Sequence, residues 1–243
     1  MVKIINLVLY NDNDESYVNM YNILSDFYDI YKSNVTTFFY KYNNTIDNDI
    51  ELIDNIIHIK GEETFVPGIL EKTLIAFKYI NDNDNYDFIV RTNISTVINF
   101  NLLIHELERT PILYYGGIYT SFLLWTDIPA GIVDDRYKFT HYAVGTNIIL
   151  SKNGCKLLIT NTHLIDKTII DDVAIGVFFR RLNIEVHRLL TYDNYHVVSK
   201  EFSITELNET INRKIVVYRN RSDGNRSYDV NNMKLITNKL KEI

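Results

Sequence analysis

Apolar runs of strand length alternate with helically spaced ones along most of this chain. "VKIINLVLY" (2–10) is an almost continuous apolar run, the pattern of a strand buried on both faces of a parallel sheet. "ESYVNMYNILSDFYDIY" (15–31) places Val18, Tyr21, Ile23 or Leu24, Phe27 or Tyr28, and Tyr31 at helical spacing. The β-branched and aromatic "VTTFFYKY" predicts a second strand, "IDNIIHIKG" a third, and "GILEKTLIAFKYI" (68–80) a helix behind Pro67. "YDFIV" then reads as a fourth strand, stopped by the polar turn Arg91-Thr92-Asn93-Ile94-Ser95.

Beyond that turn, "NFNLLIHEL" predicts a short helix and "ILYYGGIYT" a strand with a double glycine. "KFTHYAVGTNIILSKNGCKLLIT" reads as a strand, a glycine turn and a helix capped by Ser151, and "DDVAIGVFFRRLNI" as a helix with two aspartates in its first turn. The "NDND" clusters at 11–14 and 81–84 read as loops, since these side chains compete with the backbone for hydrogen bonds. Strands alternating with helices through residue 190 predict an α/β fold, a Rossmann-like three-layer sandwich with a mostly parallel central sheet. It forms one domain over 1–243, its nucleotide-binding half at about 1–100 and its acceptor and catalytic half at about 101–243. Ligands of such sheets sit outside the carboxyl ends of the strands, so "YNDND" and "RTNIS" are expected to face one crevice.

Composition narrows the function. A hydrophobic fraction of 46% is ample for a core, and a net charge of −6 sets the chain against wrapping nucleic acid. The single Cys155 is expected as core filler in a reducing compartment, and the first apolar run is too short to span a membrane, so a cytoplasmic protein is expected. No GxGxxG follows the first strand and no GxxxxGK[ST] occurs, which sets aside a dinucleotide enzyme and a P-loop nucleotidase.

The ordered series "GILEKTLIAFKYI", "YDFIVRTNISTVIN", "YYGG", "AVGTNIILSKNGCKLL" and "DDVAIGVFFRRLNI" resembles the β-1,3-galactosyltransferase and Fringe type of GT-A glycosyltransferases, particularly the compact versions of large DNA viruses. The likeness covers roughly 65–185, and a viral source would mean the host cytoplasm. It implies an inverting transfer of a sugar from a nucleotide-diphosphate donor, expected to be a UDP-sugar, to a glycan or protein-glycan acceptor. Aligning Arg91-Thr92 with the family's Lys-Thr places Asn93, Ile94 and Ser95 on the metal-holding Asp-x-Asp. An amide and a hydroxyl supply no charge to a hard cation, so no cofactor is expected and Mn²⁺ or Mg²⁺ is disfavoured.

Arginines are expected to neutralise the leaving diphosphate instead. "KIVVYRNRSDGNRSYDV" carries Arg219, Arg221 and Arg226 after a strand-like 215–218, and the first two are the donor-binding candidates. Asn11, Asp12, Lys72, Arg91, Asn93 and Ser95 complete the expected donor set, Arg91 being equally readable as a strand-end residue paired with an acid. The resemblance puts Asp172 beside the acceptor hydroxyl as general base, with Asp171 as its fallback; both also suit the positive end of a helix. Trp125, His141 and Gly145 are the acceptor candidates. The expected partners are a nucleotide-sugar donor and a glycan or glycoprotein acceptor, with homo-oligomers allowed and neither nucleic acid nor membrane. Loss of the acidic turn leaves an alternative, a degenerate GT-A fold that binds a nucleotide sugar or a protein without turnover. A nucleotidyltransferase is a weaker third reading, because its metal-holding carboxylates are missing.

Overall fold

The computed structural model describes residues 2–222 and 224–242. The first half runs β1 (Ile4–Leu9), α1 (Glu15–Tyr28), β2 (Val35–Tyr42), β3 (Ile50–Ile53), β4 (Ile56–Ile59), α2 (Gly68–Asn83), β5 (Phe88–Asn93), β6 (Thr96–Ile98) and α3 (Phe100–Arg109). There follow β7 (Tyr115–Gly117), β8 (Thr120–Phe122), β9 (His141–Ala143), β10 (Ile148–Ser151), α4 (Lys152–Thr160), α5 (Asp171–Arg181), β11 (His187–Arg188), β12 (Tyr195–Val198), α6 (Ile204–Asn212), β13 (Val217–Asn220) and α7 (Arg226–Lys241).

Eight strands form the central sheet in the order β11-β7-β10-β5-β1-β2-β4-β3. β10 runs against β5 and β7, and β3 against β4, while the remaining pairs are parallel. Alternate residues of β1 enter opposite cores, as a doubly covered strand requires. Ile4 and Val8 pack with Leu24 and Phe27 of α1, Leu103 of α3 and Met233 of α7; Ile5 and Leu7 pack with Phe77 of α2, Leu158 of α4 and Phe178 of α5. Cys155 is fully buried in the second of these layers.

A smaller sheet, β12-β13-β6, matters most for the site. β13 runs antiparallel to β6 with Arg219 opposite Thr96, and Asn220 N–H donates to Ser95 carbonyl at 2.9 Å. The C-terminal arginine segment is thereby laid beside the turn that follows β5.

Several elements differ from the sequence expectation for identifiable reasons. α1 ends at Tyr28 and tightens into a 3-10 turn through Tyr31. The third strand is half of a hairpin whose partner β3 is only four residues long and half exposed; Asp54 turns the hairpin with φ 55°. β5 runs on through Arg91 and Thr92 to Asn93, since both of the first two side chains are buried rather than turned to solvent. Residues 81–83 extend α2 instead of forming a loop. The strand expected at 112–120 shortens to β7, where Gly116 meets β11 so closely that a Cβ would lie 2.4 Å from His187 carbonyl oxygen.

Candidate functional site

A cavity of about 310 Å³ opens at the carboxyl ends of β1 and β5. Its walls include Asn11, Lys72, Asn93, Ser95 and Arg219, five of the expected donor residues drawn from four separate stretches of chain. They meet because Ile94 N–H donates to Leu9 carbonyl at 3.0 Å, which clips the β5 turn to the end of β1, and because β13 pairs with β6 on the other side. Tyr10, Tyr17, Glu63 and Arg226 also line it. Arg226 opens α7, ion-paired with the fully buried Asp229 at 2.8 Å and lying 5.5 Å over the Tyr17 ring.

Three expected donor residues stand outside this lining, Asp12, Arg221 and Arg91. Asp12 is exposed and ion-paired with Lys41, and Arg221 is exposed beyond the end of β13. Arg226 takes the place expected of Arg221. Its signal was the spacing of Val230, Met233, Ile236 and Leu240, an apolar helical stripe that makes Arg226 the first residue of a helix.

Arg91 is 1% exposed and does not line the cavity. Its guanidinium donates to Tyr40 Oη at 3.1 Å, to Asn93 Oδ1 at 3.0 Å and to Gly145 carbonyl, and pairs with Asp171 Oδ2 at 2.6 Å. Of its two readings from sequence, the strand-end residue paired with an acid describes this geometry. Asp171 is 4% exposed and committed to that pair.

Asp172 is placed differently. Gly145 N–H donates to its Oδ2 at 2.9 Å and Val173 N–H to its Oδ1 at 2.8 Å. Burial, and then the neighbouring Asp171 charge, raise its pKa to about 7. Neither aspartate caps the helix, because Ile170 occupies the N-cap position and makes no side-chain cap bond. Gly145 sits between the two aspartates' networks, its carbonyl on Arg91 and its N–H on Asp172, and a Cβ there would come within 2.8 Å of Arg91 Nη1. Hydrogen bonds thus run from Asn93 in the cavity wall through Arg91 and Gly145 to the Asp172 carboxylate.

At the end of β5 and the turn after it, Asn93 Oδ1 accepts from Arg91 and Ser95 Oγ accepts from Arg219. Both oxygens are neutral and already engaged by guanidinium groups, whose charge opposes a cation. These residues do not fit Mn²⁺ or Mg²⁺. Among the described residues no cluster of three or more His, Cys, Asp or Glu is arranged to hold a metal ion.

The acceptor candidates are spread out. Trp125 is 51% exposed in the loop between β8 and β9, with Leu124, Ile128 and Val133 exposed around it. That loop packs against the chain just before α5, since Ile170 N–H donates to Ala130 carbonyl at 2.9 Å. His141 is the first residue of β9, whereas Gly145 lies in the turn beyond the other end of that strand. There it stacks on Phe122, bonds Thr120 Oγ1 at 2.9 Å and borders a different cavity beside Arg180. His141 is not brought together with the acidic pair.

Comparison with known proteins follows this geometry. The galactosyltransferase family model matches residues 37–190. A crystal structure of a glycosyltransferase involved in glycosylation of the major capsid of PBCV-1 superposes with a TM-score of 0.50 at 9% identity, over 96% of this chain and 99% of that one. The galactosyltransferase LgtC, in complex with donor and acceptor sugar analogs, gives a TM-score of 0.46 at 9% identity over 98% and 97% of the two chains. No curated protein matches by sequence. Among the described residues, no helix is long and apolar enough to cross a membrane.

Proposed function

Given that this chain belongs to the galactosyltransferase family and is a glycosyltransferase, we propose that it moves a sugar from a UDP-sugar to a glycan or glycoprotein acceptor with inversion and without a divalent cation. The observation that carries this reading is the hydrogen-bonded path from the cation-lined cavity to Asp172.

In this reading the donor lies with its nucleoside against Asn11, Tyr10 and Tyr17, and its diphosphate against Arg219 and Arg226. As the glycosidic bond breaks, negative charge grows on the leaving phosphate, and preoriented guanidinium groups stabilise it without reorganising. Asn93 and Ser95 contribute dipoles and hold the arginines in place. An acceptor hydroxyl approaches the anomeric carbon from the face opposite the leaving group, and Asp172 takes its proton. A carboxylate with a pKa of about 7 suits that role, since base strength matched to the working pH makes proton removal efficient. Asp171 is the positioning partner, anchoring Arg91 and through it the Gly145 carbonyl. The exposed Trp125 offers an aromatic plate for the acceptor sugar.

The reading is tested by screening UDP-, GDP- and CMP-sugars for thermal stabilisation, then following transfer with the best donor and reading the product anomer by NMR. Stabilisation by UDP-sugars and an inverted anomer support it; a retained anomer removes Asp172 as base. Arg219→Ala is expected to cost about 1.5–3 kcal/mol of donor affinity, roughly tenfold to a hundredfold in Kd, the scale of a hydrogen bond to a charged group. Calorimetric titration with UDP measures it.

A further inference from the structure

The cavity contains a cation that its own chain has already neutralised. Lys72 is 1% exposed on α2, and both carboxylate oxygens of Glu63 accept from its Nζ at 2.6 Å. Glu63 Oε1 also accepts from Tyr42 N–H at 3.3 Å, while the ammonium lies 5.3 Å over the Tyr42 ring. Lys72 and Glu63 both border the cavity, so an anionic carboxylate occupies a buried ammonium and a backbone donor in the space assigned above to a diphosphate. Burial depresses the Lys72 pKa, and the Glu63 carboxylate opposes that shift.

The counter-ions of the neighbouring cations are fixed in helices. Asp171, facing Arg91, is buried at the start of α5; Asp229, facing Arg226, is fully buried in α7 and also accepts Ser222 N–H at 2.8 Å. Glu63 differs from both. It lies on the extended connection between β4 and α2, where Glu62 and Thr64 are exposed and Phe65 is 50% exposed. Side chains of this connection alternate between two spaces: Glu63 and Phe65 face the donor cavity, whereas Glu62 and Thr64 face a neighbouring cavity of about 720 Å³. The partition is one chain thick, tied to the start of α2 through Thr64 Oγ1, which accepts Gly68 N–H at 3.0 Å, and through Pro67 at the N-cap.

We propose that Glu63 is a positioning residue whose carboxylate stands in for a donor phosphate on Lys72, and that donor entry exchanges the carboxylate for a phosphate oxygen as the 61–67 connection swings out. The exchange conserves charge, since Lys72 stays an ammonium and trades one anion for another. This rests on the donor reading of the cavity.

The test uses the full chain, with UDP as the probe. Glu63→Gln keeps the side-chain shape and an acceptor but removes the competing charge. It is expected to lower the Kd for UDP about tenfold, because an internal competitor no longer reduces the binding-competent fraction. The donor KM falls with it while kcat does not. Hydrogen exchange over 61–67 should be faster in this variant without ligand, and should also speed up in the wild type on adding UDP. Lys72→Met should weaken UDP, and Glu63→Gln on that background should give no gain. Weaker UDP binding in Glu63→Gln, or protection of 61–67 by UDP in the wild type, would overturn the exchange and make Glu63 a direct donor ligand. If neither wild type nor Glu63→Gln binds a nucleotide, the donor reading itself fails and the exchange with it.

Discussion

Asp172→Asn is expected to slow sugar transfer by about two to four orders of magnitude while donor binding persists, the usual contribution of a general base. Asparagine keeps the shape and can still accept from Gly145 N–H, so it removes basicity together with the bond accepted from Val173 N–H. The wild type should show transfer rising with pH through about 7 and levelling above it, since the base works only when deprotonated. The variant should lose that limb. Stability should move the other way. Native Asp172 holds its proton more tightly than the unfolded chain does, so between the ordinary carboxylate range and about pH 7 its contribution to stability falls as pH rises. Asparagine does not titrate, so the variant's stability should lack that decline with pH. Initial-rate profiles from pH 5 to 9 beside thermal melts separate a lost base from a lost fold; full activity in the variant would move the role elsewhere.

Arg91→Met is expected to destabilise the fold by about 3–5 kcal/mol, the cost of leaving a buried charge without its partner. The substitution strips the 2.6 Å pair from Asp171, which is 4% exposed, and leaves the Gly145 carbonyl and Tyr40 hydroxyl short of a donor. Adding Asp171→Asn should recover part of the loss, because the two residues act as one unit. Urea unfolding of the two single variants and the double variant measures the coupling. A loss below about 1 kcal/mol for Arg91→Met, the scale of an exposed ion pair, would show that the pair is solvated rather than buried.

Much of this site was legible in the sequence because local rules and fold rules agreed there. β1 and β5 announce themselves as apolar runs, and the rule that ligands sit beyond the carboxyl ends of strands brings Asn11, Asn93 and Ser95 together before any coordinates are seen. The Ser151 cap was equally plain, its side chain accepting from Gly154 N–H at 3.0 Å. Long-range pairing was not legible. Nothing local to Arg91 distinguishes a buried partner of Asp171, 80 positions away, from a phosphate ligand on the surface. Glu63 sits in a connection with no periodicity, and its role depends on Lys72 reaching it from the next helix. His141 and Gly145 looked adjacent because they are four residues apart, yet β9 carries the chain away from His141 before the turn that holds Gly145, while a helix would have brought them onto one face. The small sheet escaped notice because β6 and β12 are three and four residues long and the tail's pairing with β6 spans about half the chain.

Replacement of a bound cation by arginines at the β5 turn is tested most directly by titrating UDP into the wild-type protein by calorimetry, once in excess EDTA and once with Mn²⁺ added. If Arg219 and Arg226 hold the diphosphate beside a neutral Asn93 and Ser95, the two Kd values should agree within about twofold, since each lost cation contact would cost a factor of ten per 1.4 kcal/mol. UDP binding that vanishes in EDTA and returns with Mn²⁺ would contradict a metal-free donor site.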